Sequence, residues 1–100
     1  MLEGLLGNKS AEKVMLALYE QEEIHASGIA QIYETALDPI KKQLERFEEC
    51  GLLVARNEGR AKFYRFNEHH PFHKPLMVIL ATAYKAAINR AMSPAVESSI

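Results

Sequence analysis

The chain has 100 residues, 48% of them hydrophobic and 25% charged, with one cysteine and a formal net charge of −1. That length supports one domain with its own core and leaves little room for a substrate cleft. The lone Cys50 excludes an intrachain disulfide and fits a reducing compartment.

Ser10 is read as the N-cap of a first helix, with Glu12 in its first turn. Ala11, Val14, Met15, Leu18 and Tyr19 follow at helical spacing and form one apolar face. The acidic run from Glu20 to Glu23 reads as the exposed end of that helix. A second helix is expected from about Ala26 to Tyr33, with Ile29, Ala30 and Tyr33 on one face, and Glu34-Thr35-Ala36-Leu37 as the turn after it.

Asp38-Pro39 reads as the start of a third helix, an acid at the N-cap and proline at the first helical position. A start that already includes Leu37 is the alternative. Ile40, Leu44 and Phe47 fall on the core side, which leaves Lys41, Lys42, Gln43 and Arg46 largely off it. The helix runs to about Cys50, and Gly51 is the expected stop. Leu52, Leu53 and Val54 begin a strand, and Asn57-Glu58-Gly59-Arg60 is a hairpin turn. Lys62, Tyr64 and Phe66 then alternate with Phe63 and Arg65, as in a half-buried strand.

Pro71 marks a break before a long helix from about Phe72 to Met92. Its stripe is Leu76, Leu80, Ala83, Tyr84, Ala87 and Ala91, flanked by Met77, Ile79 and Ile88. So wide an apolar face needs a cover, and a second copy of the chain is the simplest one; folding back on its own domain is the alternative. Residues 93–100 read as a flexible tail.

From Ile29 to Asn67 the order is helix, tight turn, helix, strand, short wing, strand. The expected fold is therefore mainly α with a small β-hairpin wing: a winged helix-turn-helix over residues 1–70, then a dimerisation helix over 71–92. The charge distribution agrees. Residues 1–38 hold two bases against seven acids, whereas residues 39–65 hold seven bases against four acids. Positive charge gathered on the third helix and wing of an otherwise acidic chain is an electrostatic footprint for nucleic acid. A solvated mixed-charge surface is the plainer reading.

The run IAQIYETALDPIKKQLERFEECGLLVARNEGRAKFYRFN resembles bacterial and archaeal winged helix-turn-helix regulators. It is most similar to the small ArsR-like group, whose recognition helix runs into a Leu-x-x-Leu-Glu-x-x-Gly-Leu segment. Here that segment is Leu44-Glu45-Arg46-Phe47-Glu48-Glu49-Cys50-Gly51-Leu52. The opening Leu-Leu-Gly-Asn-Lys-Ser-Ala-Glu-Lys-Val resembles the family's first helix, and the likeness covers about residues 2–80. Two positions depart from the pattern. Glu34 stands where the family often has glycine, and Ala36 and Asp38 stand where serine or threonine often opens the recognition helix. The paired cysteines of the metal-sensing members are absent from the sequence, so thiolate sensing is not supported.

The resemblance implies a homodimeric transcriptional repressor bound to double-stranded DNA, cytoplasmic and nucleoid-associated. Lys41, Lys42 and Gln43 would meet base edges in the major groove, with Arg46 on a base or a phosphate. Arg60 and Lys62 on the wing would meet phosphates or the minor groove. Arg56 and Arg65 would bind phosphate or pair with a neighbouring acid. The dimer would form through Leu76, Ile79, Leu80, Ala83, Tyr84, Ala87 and Ile88.

Other chemistry is thin. His69 and His73 have helical metal-ligand spacing, but Pro71 falls between them and no further ligand is spaced to complete a set. Cys50 reads as a small, partly buried side chain. The sequence holds no phosphate loop, nucleophile motif or acid–base pair, so neither an enzyme nor a cofactor is expected. The opening residues lack the basic start of a signal peptide, and no apolar stretch is long enough for a membrane span. The alternative function is a winged-helix protein-interaction module, or the partner of a separate enzyme such as a nucleotidyltransferase.

Overall fold

The computed structural model describes residues 2–92, so the tail expected over 93–100 lies outside the described residues. The elements are α1 (Leu2–Leu6), α2 (Lys9–Gln21), β1 (Glu23–His25), α3 (Ala26–Ile32), α4 (Leu37–Glu49), β2 (Leu53–Glu58), β3 (Ala61–Phe66) and α5 (His73–Met92). The expected order of helix, turn, helix, hairpin and long helix is present. Two short elements, α1 and β1, are additional to it.

α2 begins two residues earlier than a cap at Ser10 allows. Its N-cap is Asn8, whose Oδ1 accepts the Ala11 N–H at 2.7 Å, so Ser10 is a helical residue and not the cap. Ala11, Val14, Met15 and Leu18 are buried as their spacing predicts, and Ala17 joins them. α4 takes the alternative start, which includes Leu37, with Ala36 in the capping position and no side-chain cap. Asp38 is therefore a first-turn acid rather than the N-cap, and Pro39 lies in the first turn, where no N–H is required.

Ile40, Leu44 and Phe47 carry α4 onto the core. The helix ends on Gly51, whose φ of +85° suits glycine. The Gly51 N–H donates to the Glu48 carbonyl at 3.0 Å and the Leu52 N–H to the Phe47 carbonyl at 3.0 Å, the paired closure of a Schellman motif. In the turn between α3 and α4, Glu34 has a φ of +51°, at the position where the resembled family often has glycine.

The sheet has three antiparallel strands in the order β1-β3-β2. β2 and β3 form the hairpin, closed by the Glu58–Ala61 pair around Gly59-Arg60, with Gly59 at a φ of +61°. Asn57 and Glu58, expected in the turn, are strand residues. β1 runs along the other edge of β3, pairing Glu23 with Arg65 and His25 with Phe63. The acidic segment after α2 is thus partly strand.

α5 lies against α2 through its inner face. Leu80 and Ala83 are buried, and Leu76 and Met77 pack on the core. The Tyr84 ring lies 5.5 Å from that of Tyr19, and its hydroxyl donates to Glu20 at 2.9 Å. Among the described residues no helix is long and apolar enough to cross a membrane.

Candidate nucleic-acid interface

A groove of about 550 Å³ lies between α4 and the hairpin, lined in part by His25, Ser27, Lys41, Glu45, Arg60 and Lys62. One wall is the outer side of α4. This follows from helical spacing: once Ile40, Leu44 and Phe47 are buried, Lys41 and Glu45 fall on a neighbouring stripe. The opposite wall is the turn of the hairpin, where a two-residue loop projects Arg60 beyond the last strand pair.

The start of α3 forms the end of the groove. His25 is the last residue of β1, and its Nδ1 accepts the Gly28 N–H at 3.2 Å, capping α3. The imidazole also stacks on Phe63, 5.1 Å between centroids and 4° from parallel. One side chain therefore joins the helix-turn-helix to the sheet. Sequence reasoning missed His25 and Ser27; the available signal was a side-chain acceptor three residues before a glycine N–H.

The eight basic and amide candidates fall into different settings. Lys41, Lys42 and Arg60 are exposed and, among the described residues, have no hydrogen-bond or ion-pair partner. Arg65 is exposed and feels Glu23 beside it across the β1–β3 pairing. It faces the crevices beside Glu68 and not the groove.

Of the other four, Arg56, Lys62 and Arg46 are engaged within the chain and Gln43 is partly enclosed. Arg56 donates to both oxygens of Glu23, at 2.7 and 2.9 Å, and to Glu58 at 2.7 Å, with its guanidinium 5.0 Å over Phe63. These bonds hold the Glu23 carboxyl below its ordinary value and raise Arg56 further. Of the two roles expected for Arg56, this is pairing with an acid. Lys62 Nζ lies 2.9 Å from Glu48 Oε1, a bond that raises the lysine above its ordinary value.

Arg46 turns back towards α1, donating to the Leu6 carbonyl at 3.2 Å and lying 4.8 Å over the Phe47 ring. Gln43 is half-buried, and its Oε1 is enclosed without a hydrogen-bond partner. It does not present both amide atoms outward, as pairing with adenine requires. The helical pairings of Glu45 and Glu49 with Lys41, Lys42 or Arg46 that the spacing allows do not form.

The histidines do not gather. The His69 N–H donates to Asn67 Oδ1, His70 Nδ1 accepts from Phe72, and His73 meets Phe66 edge-on. Among the described residues no three metal-ligating side chains come together. Cys50 is exposed rather than partly buried, with its Sγ 3.4 Å from the Phe47 carbonyl.

On α5, Leu80 and Ala83 are covered by the chain's own core, so they are not free to meet a second copy. Leu76 and Tyr84 are half-buried against the same domain, whereas Ile79, Ala87 and Ile88 are exposed. Val78, 67% exposed, is a further open apolar side chain outside the expected set.

No family model and no curated protein matches the sequence. Solved structures match the shape. The adhesin competence repressor AdcR from Streptococcus pyogenes has 13% identity and a TM-score of 0.66, over 88% of this chain and 66% of that one. The MarR family transcriptional regulator SPO1453 from Silicibacter pomeroyi has 15% identity and a TM-score of 0.65, over 92% of this chain and 65% of that one. AF1382 from Archaeoglobus fulgidus has 18% identity and a TM-score of 0.64, over 93% of this chain and 98% of that one. The chain thus spans just under two thirds of the first two. At these identities the likeness shows the architecture, which is a winged helix with a long C-terminal helix.

Proposed function

We propose that the protein is a sequence-specific DNA-binding transcriptional regulator, a repressor that acts as a homodimer and is not an enzyme. The observation that carries this is the placement of Lys41 and Arg60 on opposite walls of one groove, with Lys42 exposed next along α4 and none of the three holding a hydrogen-bond or ion-pair partner among the described residues. An α-helix fits the major groove of DNA, and a hairpin beside it reaches the flanking backbone. Lys41 and Lys42 would supply base or phosphate contacts, and Arg60 the backbone or minor groove. Arg65 would be a peripheral phosphate contact.

The neighbouring structures support the reading through their names, which include a competence repressor and a MarR family transcriptional regulator. An ArsR-like subgroup rests on the sequence resemblance alone. The dimer is supported by the exposed apolar side chains Val78, Ile79 and Ile88 on α5. Two copies joined there would present two reading heads to a two-fold site.

The test is retention of genomic DNA fragments at low and moderate salt, followed by sequencing. Enrichment of one palindromic site is expected. No retention at low salt contradicts the reading and makes the groove an ordinary polar surface.

A further inference from the structure

Lys62 and Glu48 meet across the gap between the hairpin and α4, Nζ to Oε1 at 2.9 Å. Both side chains are partly exposed, at 44% and 34%. Lys62 lines the groove beside Lys41 and Arg60. Glu48 lies three residues after Glu45, another groove residue, on the same side of α4. The ammonium is also 5.3 Å from the centroid of Tyr64, so an acid and a ring hold it together. The neighbouring groove cations Lys41 and Arg60 have no such holder among the described residues.

A carboxylate offers an ammonium what a phosphate oxygen offers: a negative charge and a strong acceptor at the same distance. We propose that Glu48 is an intramolecular stand-in for nucleic-acid phosphate, holding Lys62 off the DNA backbone and lowering the affinity of the groove for polyanions. The inference rests on the DNA-binding reading above. Exposed ion pairs are weak, so the hold adjusts affinity and does not abolish it. Glu45 provides the comparison, since it carries the same charge on the groove's α4 wall, one turn before Glu48, without a bond to Lys62.

The experiment titrates a mixed-sequence DNA duplex with the full chain, read by fluorescence anisotropy over a range of salt. The variants are Glu48→Gln, Glu45→Gln, Lys62→Gln and the Glu48→Gln/Lys62→Gln pair, each checked for an intact melting transition. Glu48→Gln is expected to bind roughly twofold to fivefold tighter at low salt. Its salt slope should steepen by about 1, one further phosphate being neutralised. The gain should vanish in the double variant, and Glu45→Gln should give a smaller one.

A Glu48→Gln protein that binds no tighter than wild type, while wild type binds, overturns the stand-in and leaves the DNA reading intact. A gain that survives loss of Lys62, or that Glu45→Gln equals, also overturns it. Binding seen only in Glu48→Gln supports it, and no binding by any variant removes both readings.

Discussion

The Gly28 N–H donates to Nδ1 of His25 at 3.2 Å, and a methyl group on Gly28 would come within 2.7 Å of that same nitrogen. The imidazole has little room to yield, because it is also stacked on Phe63. Gly28→Ala should therefore destabilise the fold by about 1–3 kcal/mol through overpacking. His25→Ala should cost about 1 kcal/mol for the lost cap, with more for the lost stacking. Urea unfolding measures both; a Gly28→Ala midpoint equal to wild type would show that the cap is not tightly packed.

Gly51 closes α4 with a φ of +85°, in the left-handed region. Gly51→Ala forces a Cβ into that conformation and should cost about 1–2 kcal/mol. The nearest obstacle to that Cβ is the His70 ring at 3.4 Å, an ordinary contact, so the cost is conformational and not steric. Thermal melting should show the loss. Gly51→Asn, which tolerates the left-handed region better, should recover part of it.

Glu23 links β1 to the hairpin through Arg56, and hydrogen bonding from that arginine holds its carboxyl below the ordinary 4.5. Unfolding returns the group to its ordinary value. Its contribution to stability is therefore fully present above that value and is lost as pH falls through the depressed one. The melting temperature of wild type should exceed that of Glu23→Gln at neutral pH, and the gap should shrink once pH drops below about 4. A gap that stays constant into acid would mean that the pairing is not the cause.

The two faces of α5 should respond differently to substitution. Leu80 is fully buried, so Leu80→Ala should cost about 2–5 kcal/mol of folding stability. Val78 and Ile88 are exposed, at 67% and 38%, so Val78→Glu with Ile88→Glu should leave the chain folded and convert a dimer to a monomer. Sedimentation at several concentrations reads the result. An unchanged assembly state in that variant would place the dimer contact elsewhere.

Elements with a strong local signal were legible from the residues alone. Ile40, Leu44 and Phe47 repeat at helical spacing, Gly51 stops the helix, and Gly59 turns the hairpin, and each is where expected. α1 has only five residues, too few to establish a period. β1 has three, and it is a strand because β3, some forty residues later, pairs with it. That is a tertiary cause, invisible to local propensity. The same holds for the site. Lys41, Lys42 and Arg60 could be picked by type and position, but Arg56 and Lys62 meet acids 33 and 14 residues away. The inward turn of Gln43 comes from packing on the flank of the core stripe, where a one-residue difference in helix face decides exposure.

The most direct measurement is the salt dependence of binding to the selected duplex, compared between wild type and the Lys41→Ala/Lys42→Ala/Arg60→Ala variant. Log affinity of wild type should fall linearly with log salt, by roughly 0.9 for each phosphate neutralised. The folded variant should bind more weakly, with a slope shallower by about 1 for each phosphate contact removed. Equal affinity and equal slope in the two proteins would contradict a nucleic-acid interface at this groove.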